Sequence, residues 1–536
     1  MSSVRRVAAR VLGLPPALSR DVEVRRDVAV PSYDGTVLRA DVYLPRRVPN
    51  APTVLVRSPY GRRGWVAQAT AWPFAERGYQ VVVQAVRGTD GSDGEFSPFE
   101  EGRDGLAALD WLEKQPWWNG RTVTFGPSYL GLAQWAVAAE AGGRLAAIAP
   151  FATASQFRDQ TYLGEAFTLR GSLSWAAGMA RRTGAVPRGR LFGEARRLER
   201  AYATLPLEEA DVAATGTPIA WFRQWLRHAA PGDAYWTETR DHRASVADVT
   251  APATLVTGWH DIFLPFQLAD HAALVAAGRT TRLTVGPWKH TSLGMFGAAA
   301  RDALDWFGAH LRGLPTDGDP VRVFVQGADE WRGYAAWPPP AQTRAFHLHQ
   351  DGTLRAEPPA EVSWSAFTYD PSDPTPGVGG PLLGSGAGPR DQRAVETRPD
   401  VMLFTSPPLD RDLDVVGEVR ARVRLRCDTA HTDLLVRVAD VDRAGRSTGV
   451  CDGLRRLVLD GPGVHEIELD LWPTAYRFRA GHRIRVHVAG GSHPRFARNP
   501  GTGDPLGTAT RLLPQRHEIE HGPGGGTALF LPVTSP

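Results

Sequence analysis

The chain has 536 residues, 42% of them hydrophobic and 22% charged, which is ordinary for a folded protein and too long for one core, so two or three domains are expected. Its 61 basic and 58 acidic residues leave a net charge of +3 with no lysine-rich block or basic stripe, which argues against a nucleic-acid partner. No apolar run has membrane-spanning length, and the stretch through Arg20 lacks the continuous apolar segment of a signal peptide, so a cytoplasmic protein without membrane attachment is expected.

In the first 150 residues short apolar runs alternate with helical stretches, the pattern of parallel strands buried on both faces. The runs Thr53–Val56, Tyr79–Val83, Thr122–Phe125 and Leu145–Ala149 read as strands, and Gly102–Lys114 and Leu130–Ala141 as helices. The pattern resumes with strands at Ala253–Thr257 and Arg282–Val285 and closes on a helix at Ala298–Leu311. Between these blocks, residues 152–249 carry aromatic and arginine-rich helical segments and no convincing strand. An insertion between two strands of a parallel sheet falls over the C-terminal edge of that sheet, and a helical cap is expected there.

From Asp319 onward the character changes to Pro, Gly and alternating apolar–polar runs. Val321–Gln326, Arg344–His349, Val419–Leu425, Leu434–Val438, His465–Leu469 and Arg483–Val488 read as the strands of a β-sandwich or jelly roll. Pro371–Pro389 reads as a long loop that could reach back toward the first domain. Cys427 and Cys451 both fall in this region. Two cysteines make neither a disulfide framework nor a metal site, so they read as buried thiols, with pairing across adjacent strands left open.

Ser128 lies in Gly126-Pro127-Ser128-Tyr129-Leu130-Gly131, between an apolar strand and a helix-forming stretch. A serine between small residues at such a turn has its hydroxyl lifted out at the top of a sheet, as in a nucleophile elbow. The same tripeptide also fits an ordinary turn. What separates the two is downstream. A serine nucleophile needs a histidine base and an acid to orient that base, in the chain order Ser, Asp, His for this type of sheet. The strand from Ala253 runs into Gly258-Trp259-His260-Asp261, and the strand from Arg282 runs into Gly286-Pro287-Trp288-Lys289-His290. Asp261 and His290 are therefore the expected partners of Ser128, while alternation points His260 away. The oxyanion would be held by the Tyr129 amide and by the hydroxyl of Tyr60, in the loop after the first parallel strand, although a tyrosine after proline also fits packing.

Together these residues resemble the X-Pro dipeptidyl-peptidase-like serine hydrolases, the cocaine esterase and α-amino acid ester hydrolase group. The matching pieces are Arg57-Ser58-Pro59-Tyr60-Gly61, Arg87-Gly88 with Gly91-Ser92-Asp93-Gly94, Asp110-Trp111-Leu112, Gln115-Pro116-Trp117, and the three segments around Ser128, Asp261 and His290. Gly481-His482-Arg483-Ile484-Arg485-Val486 and Pro494 to Pro500 extend the match into the last third. The resemblance implies an α/β-hydrolase core over residues 1–151 and 250–317, an inserted helical cap over 152–249 and a C-terminal jelly-roll domain over 318–536. It implies Ser128 as nucleophile, His290 as base, Asp261 as orienter, and Tyr60 beside the Tyr129 amide as oxyanion donors. Trp175 stands at one of two tryptophan positions placed against the acyl group, and Gln160 stands at the other. Asp261 is followed by Ile262 and Phe263 where members that bind a free α-amine use acidic residues.

The expected activity is hydrolysis of a carboxylic ester with an apolar or aromatic group, in a pocket lined by Gln160, Phe167, Trp175, Trp259 and Phe263; the aromatic members of that set fit cap core equally well. An amidase, X-Pro dipeptidyl-peptidase or acyltransferase would use the same triad, and a non-catalytic ligand-binding protein would need a triad member to be missing. No metal or organic cofactor is required by this chemistry. The partner is a small-molecule ester or amide, and the oligomeric state is left open, a homodimer included.

Overall fold

The architecture was taken from a computed structural model, which describes residues 2–186, 193–315, 318–523 and 526–534. The domain boundary expected at 317 lies outside the described residues. Mostly apolar runs, several of them rich in β-branched residues, build the centre of a ten-stranded sheet. In chain order its strands are β1 (Val22–Pro31), β2 (Val37–Pro45), β3 (Thr53–Ser58), β4 (Gln80–Ala85), β5 (Thr122–Pro127), β6 (Leu145–Phe151), β7 (Ala253–His260), β8 (Thr281–Lys289), β9 (Val321–Val325) and β10 (Glu330–Tyr334). Their spatial order is β1-β2-β4-β3-β5-β6-β7-β8-β9-β10. From β4 to β8 every neighbouring pair is parallel, whereas β1–β2 and β2–β4 are antiparallel. Residues of β3, β4, β5 and β7 are buried throughout, as strands covered on both faces must be.

Two features depart from the expectation. The leading antiparallel pair β1–β2 was not expected, because the charged Arg25-Arg26-Asp27 interrupts its apolar run; a bulge between Arg25 and Val28 absorbs them, with Asp27 at φ 55°. The strand at Val321, read as the first of the β-rich region, belongs to this sheet instead. Its short alternating pattern fits an edge as well as a sandwich.

Helices α1 (Gly102–Leu112), α2 (Tyr129–Ala141), α3 (Leu264–Ala276) and α4 (Leu293–Arg312) connect or follow the parallel strands. Helix α2 buries 11 of its 13 residues, which is why it is apolar all round. Its one buried amide, Gln134, accepts from Thr124 Oγ1 at 2.8 Å and donates to the Gly126 carbonyl at 3.2 Å, tying α2 to β5 beside the turn between them. The interval 152–249 holds helices including Leu169–Arg182, Glu194–Tyr202 and Ala220–Arg227. It also holds a small antiparallel pair, Tyr162–Leu163 with Ala166–Phe167, too short for any periodicity to reveal.

The chain divides into two compact units. The first comprises 1–158, 179–187 and 230–322; the second comprises 159–178, 188–229 and 323–536. The C-terminal part of the second unit is all-β, with one nine-stranded and one four-stranded sheet. Alternation is clearest in the strand Arg420–Cys427, where Ala421, Val423, Leu425 and Cys427 are buried and the arginines between them face outward. Arg422 and Arg424 meet Glu468 and Glu520 on neighbouring strands at 3.0 and 2.6 Å. Residues 371–389 pack within this unit: Gly377 donates to His493 O at 2.7 Å, and Gly380 and Gly388 exchange two backbone bonds. Cys427 and Cys451 are both buried and free, and burial pushes the Cys451 thiol up.

Candidate active site

Ser128 stands between β5 and α2 with φ 54° and ψ −124°, a conformation that a side chain rarely adopts and that a sharp strand-to-helix turn imposes. The turn is held from behind. Ser128 N–H donates to the carbonyls of Phe151 and Ala152 at 3.0 and 3.1 Å, and its own carbonyl accepts from Thr153 Oγ1 at 2.7 Å. Gly131 is required because a Cβ there would run into the Thr153 side chain.

Asp261 follows β7 and His290 follows β8, the adjacent parallel strand. Their pairing shifts register between Gly286 and Lys289, and at Gly258 a Cβ would overlap the Trp288 backbone. The two strand ends therefore approach more closely than any larger residue would allow. Asp261 is fully buried and spends both oxygens: Oδ1 accepts the Phe263 amide at 2.7 Å, and Oδ2 meets His290 Nδ1 at 2.9 Å. A carboxylate only accepts, so Nδ1 carries the proton, and in the neutral ring Nε2 keeps its lone pair. Ser128, Asp261 and His290 thus occupy the C-terminal ends of strands β5, β7 and β8 of one sheet, where α/β sites form.

A row of rings runs between the two ends of this site. Tyr129 contacts Phe99 (centroids 5.5 Å), Phe99 contacts Phe157 (4.9 Å), Phe157 contacts Phe263 (4.5 Å), and Phe263 contacts His290 (5.5 Å). Phe99 and Phe157 escaped the sequence reading because nothing local marks them; only the fold makes them neighbours. Trp259 is buried at the end of β7.

Tyr60 is half-buried after β3, its ring 6.5 Å from that of Tyr129. Its loop is fixed by charge. Arg62, buried, meets Asp41 and Asp27 at 2.9 Å each and Asp90 at 3.0 Å. Arg182 donates to the Tyr60 carbonyl at 3.2 Å and lies over the Tyr60 ring at 5.8 Å. The Tyr129 side chain is turned inward: its hydroxyl donates to Glu101 Oε1 at 2.7 Å and accepts the Phe99 amide at 3.0 Å. Burial pushes the Tyr129 phenol well above its usual range, with Glu101 adding to the shift. The Tyr129 N–H is in the first turn of α2.

The remaining expected residues belong to the second unit. Gln160 is half-buried, and its carbonyl accepts from Thr168 Oγ1 at 3.0 Å. Trp175 is half-buried with its ring 5.8 Å from that of Trp225. Phe167 exposes nothing and packs on Tyr162 and Phe222 at 5.3 and 5.9 Å. Among the described residues no group of three or more His, Cys, Asp or Glu is placed to hold a metal ion, and no helix is long and apolar enough to cross a membrane.

The family model of the X-Pro dipeptidyl-peptidase (S15 family) matches residues 34–292, and that of the X-Pro dipeptidyl-peptidase C-terminal non-catalytic domain matches residues 313–525. The chain is 32% identical to the cocaine esterase of Rhodococcus sp. (strain MB1 Bresler), with 95% of this chain and 98% of that one covered. An aminopeptidase from a marine sediment archaeon (Thaumarchaeota archaeon) superposes with a TM-score of 0.84 at 21% identity, covering 97% and 99% of the two chains. An α-amino acid ester hydrolase gives 0.81 at 22%, covering 97% and 98%. At these identities the two solved structures bear on the fold, an α/β-hydrolase unit with an all-β C-terminal part.

Proposed function

The chain belongs to the X-Pro dipeptidyl-peptidase (S15) family, and from that premise we propose that it is a serine hydrolase of carboxylic esters, working through an acyl-enzyme on small apolar or aromatic substrates. The observation that carries this reading is the buried Asp261–His290 hydrogen bond two and three strands from a strained, glycine-flanked Ser128. Ser128 Oγ attacks the ester carbonyl while His290 Nε2 takes its proton, and Asp261 stabilises the imidazolium that results. The Tyr60 hydroxyl and the Tyr129 amide hold the tetrahedral oxyanion. His290 then hands the proton to the leaving alkoxide, the alcohol departs, and the acyl group stays on Ser128. Water, deprotonated by the same histidine, attacks the acyl carbonyl and releases the acid, restoring the serine.

Two features support the substrate class. Phe263 lies against His290, and Phe157 and Phe99 continue its apolar surface, which favours an apolar or aromatic group over a charged one. The residues after Asp261 are Ile262 and Phe263, so no carboxylate follows the catalytic acid to receive a free amine, and an ester is favoured over a dipeptide. The test is hydrolysis of p-nitrophenyl butyrate at neutral pH by the wild type and Ser128→Ala, run beside an X-Pro p-nitroanilide. Ester turnover that disappears in the variant, with the anilide untouched, is the expected result. Anilide turnover exceeding ester turnover would make the enzyme a peptidase, and an inert wild type would set the reading aside.

A further inference from the structure

We propose that Glu101 is a positioning residue that sets both oxyanion donors from one buried point; the inference rests on the acyl-enzyme reading above and extends it. The two donors are 69 residues apart in sequence, on separate strand ends, and must converge on one oxygen atom to within a fraction of an ångström. A single buried ionic unit touches the chain beside each of them. Arg57, three residues before Tyr60, is held by Gln84 Oε1 through Nε at 2.8 Å. Its Nη1 lies 2.7 Å from the Glu101 carbonyl and 2.8 Å from Glu101 Oε2. The other carboxylate oxygen of Glu101 accepts the Tyr129 hydroxyl at 2.7 Å, and Tyr129 is the residue whose amide faces the oxyanion.

Arg57, Glu101 and Tyr129 are all buried. Charges taken out of water carry a desolvation penalty that an apolar trio of the same volume would avoid, so packing alone gives no reason for this arrangement. Geometry does. The Tyr129 hydroxyl has two fixed partners, Glu101 Oε1 as acceptor and the Phe99 amide as donor, which leaves the ring no freedom to rotate or slide. Phe99 itself is held at φ 73°, strained for an aromatic residue, so the surrounding contacts over-determine its position. On the other side Gly105 admits the Arg57 guanidinium, since a Cβ there would sit 3.0 Å from Nη1. Charge balance completes the argument: Arg57 Nη1 lies against Glu101 Oε2 at 2.8 Å, so the buried carboxylate carries its counter-charge beside it.

The test compares Tyr129→Phe, Glu101→Gln and Glu101→Ala with wild type. The readouts are kcat and KM for p-nitrophenyl butyrate, the affinity of an aryl boronic acid that forms a tetrahedral adduct on the serine, and the melting temperature. Misplaced donors weaken transition-state binding and not substrate binding. Tyr129→Phe is therefore expected to lower kcat about 10–100-fold with KM changed less than about threefold, and to weaken the boronic acid by the same factor as kcat. Glu101→Gln, which still offers Tyr129 an acceptor, should retain more activity than Glu101→Ala. Glu101→Ala strands a buried guanidinium and risks misfolding, so Tyr129→Phe, which removes one oxygen atom, decides. A folded Tyr129→Phe with wild-type kcat and boronic-acid affinity overturns the inference, as does a loss that falls on KM alone. Persisting activity in Ser128→Ala would instead overturn the acyl-enzyme reading on which it rests.

Discussion

Among the described residues, two hydrogen-bonded His–Asp pairs have closely similar geometry in two different settings. In the first unit His290 Nδ1 meets Asp261 at 2.9 Å; in the second, His482 Nδ1 meets both oxygens of Asp440 at 3.0 Å. The partners differ. Asp261 gives its second oxygen to a backbone amide, and its histidine follows a strand of the sheet that carries the Ser128 turn. Asp440 also accepts the Tyr476 hydroxyl at 2.9 Å, within a β-sheet where it faces Ile484 across the ladder. The first pair lies at the ends of parallel strands, where a third group can converge; the second pins two strands of one sheet together. A histidine with an oriented tautomer is not a base until the topology supplies it with something to deprotonate.

The contrast can be broken by substitution. Ser128→Ala and His290→Ala are each expected to lower kcat on the order of 10⁵-fold or more, since either removes the whole nucleophilic unit. Asp261→Asn should cost on the order of 10³–10⁴-fold, because the amide cannot hold the productive tautomer; its kcat measured against pH, with the melting temperature as a control for folding, checks this. Tyr60→Phe should cost about 10²-fold in kcat while leaving KM nearly unchanged, as expected for an oxyanion donor. His482→Ala closes the comparison: kcat should stay within about twofold of wild type while the melting temperature falls. A large kcat loss there would mean the two pairs are not functionally distinct.

Buried carboxylates sharpen the same point through stability. Asp452 is pushed up by burial, yet the guanidinium groups of Arg495 and Arg437 at 2.6 and 2.8 Å outweigh this and bring it to about 2. Asp270, which accepts from the hydroxyl and amide of Ser155, is pushed up by burial to about 7. A carboxyl raised in the folded state stabilises folding most below its unfolded value near 3.8, and that contribution is lost as pH rises toward 7. Asp270→Asn is therefore expected to gain stability over wild type by about 2–3 kcal/mol more at pH 8 than at pH 5, read from denaturant unfolding at both values. An equal difference at the two pH values would show that Asp270 does not titrate in this range.

How far the sequence could be read follows from the range of the interactions. The parallel strands were legible because burial on both faces demands mostly apolar runs, and Ser128, Asp261 and His290 could be placed at strand ends because each closely follows such a run and a glycine a few residues before it. Strand β1 was not, since its bulge places Arg25, Arg26 and Asp27 where alternation should continue. The strand at Val321 was assigned to the wrong sheet because five alternating residues carry no information about their neighbour. Glu101 and Phe99 are silent in sequence: Glu101 acts on Arg57 and Tyr129 at separations of 44 and 28 residues, and Phe99 matters through an amide.

The most direct test of the central claim is covalent labelling with a fluorophosphonate probe, followed by intact-mass measurement and peptide mapping of wild type and Ser128→Ala. The account predicts one equivalent on the wild type, mapped to the peptide containing Ser128, and none on the variant. Label on another residue, or equal labelling of both proteins, would contradict it.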